Sequence, residues 1–154
     1  MTLGLISDTH GRLPPAALRA LAGVDRILHA GDVGPPSLIA ELARLAPVTV
    51  VHGNTDSHAG WPDFESVEIG PHRILVEHIV SPHHPSPSFR LRLQLVRPTV
   101  VVFGHTHRPF AETLEGILYV NPGSAGAPRF GLPPSICRLH LDGDRPRHTF
   151  VELA

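Results

Sequence analysis

The feature that most constrains this chain is a repeated passage from a short apolar run into an Asp, His or Asn. Leu3–Ile6 runs into Ser7-Asp8-Thr9-His10, Val24–Ala30 into Gly31-Asp32, and Val48–Val51 into His52-Gly53-Asn54-Thr55-Asp56. Ile74–Val76 ends at Glu77-His78, and Thr99–Phe103 at Gly104-His105-Thr106-His107. Runs this short and this apolar read as buried strands. Between the first three, Pro14-Pro15 opens a helix through about Ala22, since proline is tolerated in a first turn. Pro36–Ala46 carries Leu38, Ile39, Leu42 and Leu45 at helical spacing. The β-α-β-α-β rhythm predicts a largely parallel sheet with helices on its faces. In such sheets ligands gather beyond the carboxyl ends of the strands.

The second half reads as richer in antiparallel strands. Glu65–Ile69 and Arg73–Val76 suggest a hairpin around Gly70-Pro71, and Ser81–Ser88, with three prolines, must be loop. Phe89–Val96 reads as a short helix ended by Pro98. Leu118–Val120, Ser135–Leu141 and Thr149–Leu153 follow as strands, with a turn at Asp142-Gly143. With 154 residues, no repeat and no linker, the expectation is one domain spanning 1–154.

The polar residues at the strand ends ask for a pair of metal ions. Asp8/His10 and His105/His107 are i, i+2 pairs, which in extended chain project to the same side. The carboxylate of Asp32 can bridge two cations through its two oxygens. Mixed imidazole and carboxylate donors suit Mn, Fe, Co, Ni or Zn, whereas Mg or Ca alone would favour an all-oxygen shell. Gly31, Gly53 and Gly104 allow the turns and close backbone approach that such a site needs. Each fragment has a plainer meaning: Asp-x-His as a helix cap, Gly-Asp as nothing in particular, Gly-Asn as a tight turn. All of these would have to hold at five strand ends together, and the metal reading therefore prevails.

Composition enters by exclusion. All 13 basic residues are arginine, which removes Schiff-base chemistry and a P-loop lysine. The 12 histidines exceed what packing needs in a chain this size. A net charge of -1 provides no basic field for nucleic acid. Cys137 is the single cysteine, so no internal disulfide forms, and a reducing compartment is expected. No apolar stretch is long enough to span a bilayer and no signal peptide is read, so the expected location is cytoplasmic.

In order from Asp8 to His107, the motifs Asp-x-His, Gly-Asp, Gly-Asn-x-Asp, His and Gly-His-x-His resemble those of the calcineurin-like metallophosphoesterases. Asn121-Pro122-Gly123-Ser124 is similar to the small prokaryotic phosphodiesterase branch. The resemblance implies an α/β fold, a four-layer α/β/β/α sandwich of two packed mixed sheets flanked by helices. It implies one metal on Asp8, His10, Asp32 and His107, and another on Asp32, Asn54, His78 and His105. Asp32, Asn54 and His78 would then serve catalysis as well as binding. The implied cofactors are two divalent transition ions, manganese first, with nickel, cobalt, iron or zinc as alternatives. The implied reaction is in-line hydrolysis of a small-molecule phosphate mono- or diester by a hydroxide between the ions. A non-catalytic interaction scaffold on the same fold is the alternative. Scaffold members tend to lose metal-site histidines, yet every expected ligand has a candidate here.

Three departures stand out. Thr55 holds the place where larger family members carry a histidine that is proposed to protonate the leaving group. Ile79 follows His78 where glycine is usual, and His83 and His84 sit in a Pro-rich loop able to compete as ligands. Arg12, Arg108 and His83 are the candidate substrate contacts, a guanidinium being suited to phosphate. His29 and His52 read as packed or supporting residues, Asp56 has no assigned role, and loops Ser57–Asp63 and Ser81–Ser88 are expected to set specificity. The sequence marks no interface, and a homo-oligomer stays open as a state because members of the family it resembles are often oligomers.

Overall fold

The computed structural model describes residues 1–57 and 60–153. In chain order the elements are β1 (Thr2–Ile6), α1 (Pro15–Ala20), β2 (Arg26–His29), α2 (Ser37–Ala43), β3 (Val48–Val50), β4 (Phe64–Ile69) and β5 (His72–Glu77). There follow α3 (Pro87–Val96), β6 (Val100–Val102), β7 (Pro109–Leu114), β8 (Ile117–Pro122), β9 (Ser135–His140) and β10 (Arg147–Glu152). No helix among the described residues is long and apolar enough to cross a membrane.

Two five-stranded sheets form, in the orders β10-β9-β1-β2-β3 and β4-β5-β6-β8-β7. Both are mixed. The first has β1, β2 and β3 parallel, with β9 antiparallel to both β1 and β10. The second has β5, β6 and β8 parallel between two antiparallel edges. The expected four-layer sandwich is therefore what the chain builds.

Strand alternation sorts the apolar residues into three cores. Leu3, Leu5, Leu28, Ile74, Val76, Val100, Val102, Val120 and Leu139 point between the sheets. Ile6, Ile27 and Ile136 point outward beneath α1 and α2, against Ala17, Leu21, Leu38 and Leu42. Leu75, Val101 and Tyr119 point outward beneath α3, against Phe89. Both faces of β1, β5 and β6 are thus covered, which is why these strands read as unbroken apolar runs. Each fully buried Leu or Ile contributes about 1.5–3 kcal/mol of transfer free energy.

Local chemistry explains the boundaries. Helix α3 starts at Pro87, two residues before the expected Phe89, because the Ser86 hydroxyl caps it by accepting from the Phe89 amide. It ends at Arg97, whose left-handed φ of 51° precedes Pro98. The Gly70-Pro71 hairpin forms, with Ile69 opposite His72. Strand β7 was not anticipated. It is a half-buried edge strand opening with proline, and it is tied to β8 by a two-residue turn in which Glu115 and Gly116 both have positive φ.

Candidate metal centre

Parallel β1, β2 and β3 end together at one edge of the first sheet, and β5, β6 and β8 end together at one edge of the second. The loops leaving these ends carry Asp8, His10, Asp32, Asn54, His78, His105 and His107. Asp8, His10 and His107 offer ligand atoms within 4.8 Å of one another, and so do Asp8, Asp32 and His78. Asn54 joins the second group, its Oδ1 lying 2.9 Å from His78 Nε2 and 3.1 Å from His105 Nδ1. Asp32 Oδ2 stands between the groups, 3.7 Å from His10 Nε2 and 3.3 Å from His78 Nε2. Asp8 also spans them, with Oδ1 3.3 Å from His107 Nε2 and 3.9 Å from His78 Nε2. All seven candidates come to one place.

The backbone that does this is not extended. Asp8, His10, Asp32, His105 and His107 all have left-handed φ, between 47° and 72°. Non-glycine residues adopt this region rarely and at a cost of about 1–3 kcal/mol each where the surroundings impose it. The i, i+2 pairs therefore converge by tight turning, which corrects the expectation that extended chain aims them. The glycines serve as expected. A Cβ on Gly53 would overlap the amide and carboxylate of Asp32, and one on Gly104 would overlap the Ser7 hydroxyl and Asp8 carboxylate.

Asp56 has a clear place. Its Oδ2 accepts from the amides of Asp32 and Gly53, both at 2.9 Å, and its Oδ1 from those of Val33 and Gly34 at 2.9 and 3.2 Å. The fourth residue of Gly-Asn-x-Asp thereby fixes the loop that bears Asp32. The Asn121 side chain does similar work for the last motif. It donates to the Gly104 carbonyl and the Thr106 hydroxyl, and accepts from the Gly123 amide. The Ser124 hydroxyl donates to the Asp8 carbonyl.

Burial and hydrogen bonding set the charges. Burial would raise the Asp32 carboxyl, but hydrogen bonds from His78 and Thr55 outweigh it and hold it far below the usual carboxylate range. Burial pulls His78 down, yet the Asp32 hydrogen bond and the charges of Asp8 and Asp32 leave it raised. The His78 Nδ1–H donates to the Ala30 carbonyl at 2.7 Å. That fixes the ring so that Nε2 faces the carboxylates. His107 is lowered, first by burial and further by the charge of Arg129. His29, wholly buried, is lowered to about 3 by desolvation. Its Nδ1 accepts from the Gly31 amide and its Nε2 meets the Thr9 hydroxyl, so it supports the loop as a neutral ring.

The residues fit a pair of cations. Asp8 Oδ1 is buried and has no hydrogen-bond donor among the described residues, although three imidazole Nε2 atoms lie within 3.3–3.9 Å. A buried anionic oxygen is costly unless paired. The Nε2 atoms of His10 and His107, 3.4 Å apart, converge on the same point. Beside Asn54 and His78 opens a cleft of about 220 Å³ lined by His52, Asp63, Glu77 and Ile79.

The expected substrate contacts fare differently. His83 is held by Glu112 of β7 at 2.9 Å, so it joins neither the ligands nor the cleft. The Arg108 guanidinium lies over the ring of Phe130, 5.1 Å from its centroid, rather than over the donors. Arg12 is exposed on the loop after His10, and its guanidinium makes no hydrogen bond among the described residues. In the loop Ser57–Asp63, Trp61 packs against the outer core of the first sheet. The loop Ser57–Asp63 lies partly outside the described residues, at 58 and 59.

Residues 1–144 match the calcineurin-like phosphoesterase superfamily domain. A probable metallophosphoesterase of Methanothermobacter thermautotrophicus is 38% identical over 153 residues, covering 94% of this chain and 88% of that one. The phosphodiesterase YfcE of Escherichia coli K12 is 32% identical over 171 residues, covering 92% and 89%. The structure of an archaeal phosphodiesterase superposes with a TM-score of 0.79 at 26% identity, over 98% of this chain and all of that one.

Proposed function

The chain belongs to the calcineurin-like phosphoesterase superfamily, and from that premise we propose that it hydrolyses a phosphodiester at the centre built on Asp8 and Asp32. The carrying observation is the meeting of two donor groups at Asp8 and Asp32, with Asp8 Oδ1 buried and left without a donor. The names of the Escherichia coli and archaeal relatives support a diester.

Asp8, His10, Asp32 and His107 would hold one divalent ion, and Asp32, Asn54, His78 and His105 the other. Manganese is the first choice, with nickel, cobalt, iron and zinc as alternatives. When bound, two such ions would supply a water deprotonated at neutral pH and would offset the charge that develops on phosphorus-bound oxygens. The chain's own contribution is positional. Asp8 and Asp32 form a buried anionic floor, and Asp56 and Asn121 lock the loops that carry the donors. His78 is held by its Nδ1–H on Ala30 so that its other nitrogen points inward. Thr55 follows Asn54, where a proton-donating imidazole would be expected. A leaving group that departs as a stable anion, such as an aryl oxide, should therefore be favoured.

The test is hydrolysis of bis(p-nitrophenyl) phosphate by metal-stripped protein after adding Mn, Ni, Co, Zn or Mg singly, beside His107→Ala and Asp32→Asn. Metal-dependent turnover lost in both variants supports the reading. No turnover with any metal, and no bound metal by elemental analysis, would sink it and leave a scaffold on this fold.

A further inference from the structure

The segment 128–132 carries none of the motifs read from the sequence, yet the fold sets it beside His107. Arg129 and Leu132 close it through a β-bridge, with Phe130 at φ 56° and Gly131 at φ 69° between them. A single exposed aromatic side chain needs no explanation by itself. Phe130 differs in two respects. It is 64% exposed, so burial does not repay its strained backbone. It is also built into the site, its ring meeting that of His107 edge-on at 6.3 Å between centroids. The Arg108 guanidinium covers part of the ring, and Arg129 on the same turn places its charge near His107. The result is an aromatic lip with two cations at the His10/His107 side of the centre.

We propose that Phe130 is a stacking platform for a planar aromatic group of the phosphate ester, held in place by Arg108, while the phosphate sits on the neighbouring donors. This rests on the phosphoesterase reading above and narrows its substrate class. An exposed ring face takes any planar π-surface without needing matched hydrogen bonds. The guanidinium over Phe130 fixes the ring as a cation–π pair and adds positive charge where an anionic ester arrives. Arg108 is thus a positioning residue for Phe130.

The experiment is calorimetric titration of the manganese-loaded protein with phenylphosphonate and, separately, methylphosphonate. Both carry the same anionic head on a P–C bond that does not hydrolyse. Wild type should bind the phenyl compound about five- to tenfold more tightly. Phe130→Ala should bring the ratio close to one, and Phe130→Tyr should keep it. Equal affinities in wild type, no measurable binding of either compound, or a ratio that survives Phe130→Ala would each overturn the proposal. A merely structural lesion weakens both ligands and leaves their ratio intact, so it also counts against it. Hydrolysis of bis(p-nitrophenyl) phosphate by the same preparations separates the two readings. A protein that keeps the Phe130-dependent ratio but turns over no ester would refute the phosphoesterase and support the platform.

Discussion

The carboxylate of Asp56 accepts the backbone amide of Asp32, with 2.9 Å between Oδ2 and the nitrogen. The same oxygen takes the Gly53 amide, while Oδ1 takes those of Val33 and Gly34. One side chain therefore ties the loop after β2 to the loop after β3, the two loops that supply Asp32 and Asn54. Asp56→Ala removes both acceptor oxygens, and with them four hydrogen bonds, and frees a loop whose central residue has left-handed φ. Metal affinity, read by competition with a chelator of known affinity, should fall about 10- to 100-fold, the usual cost of losing a group that orients ligands. Asp56→Asn keeps one carbonyl oxygen and should fall between wild type and Asp56→Ala. Unchanged affinity in Asp56→Ala would show that the loop holds its shape without the clamp.

Asp56 also marks where sequence reading ran out. The meeting of the seven candidate donors was legible because each follows an apolar run that could only be a buried strand, and strand ends converge by topology. The two-faced burial of Val100, Val101 and Val102 was legible for the same reason, since no polar residue interrupts the run. What could not be read is where backbone N–H groups go. Four amides from two loops find Asp56 only once the sheet is assembled, and the left-handed turns at Asp8 and His105 are imposed by neighbours distant in sequence. Strand β7 was missed because Pro109, Glu112 and Thr113 on a sheet edge give it no apolar run. Phe130 was missed because a lone aromatic among Gly, Pro and Arg carries no periodicity, and only the fold sets it against His107.

Two glycine substitutions separate close approach from backbone strain. A Cβ on Gly53 would collide with the backbone and carboxylate of Asp32, whereas nothing lies within 4 Å of one on Gly70, whose φ is 57°. Gly70→Ala should cost about 1 kcal/mol in urea unfolding, the penalty of left-handed φ alone, with metal binding intact. Gly53→Ala should cost about 1–3 kcal/mol from overpacking and should also lower metal affinity, because the atoms displaced belong to Asp32, a candidate ligand. Equal effects of the two on metal binding would remove the case for close approach at Gly53.

Cys137 lies wholly buried between the sheets, and burial pushes its thiol up to about 12. Thiolate is the reactive form, so neither its ionisation nor its access favours attack in the folded state. Ellman's reagent at pH 8 should label native protein only at the rate of unfolding, and should label it at once in concentrated guanidinium. Fast labelling of native protein would show that the interior between the sheets opens far more often than its packing suggests.

His29 should make the fold sensitive to acid. Its ring is fully buried, and desolvation lowers it from an ordinary 6.5 to about 3. Between those values the unfolded chain binds a proton that the folded chain refuses, so stability is whole above pH 6.5 and drains away as pH falls toward 3. One such group removes at most about 1.4 kcal/mol per pH unit across that window. The neutral ring is also what the structure uses, since Nδ1 must stay unprotonated to accept the Gly31 amide. Urea unfolding of metal-free wild type and His29→Gln at pH 7.5, 5.5 and 4.5 isolates this contribution from the other titrating residues. The variant should be less stable at pH 7.5, because it loses the bonds to Gly31 and Thr9, and its stability should fall less steeply with acid. Parallel curves would mean that the folded chain accommodates the His29 proton, and the acid sensitivity would then belong to other groups.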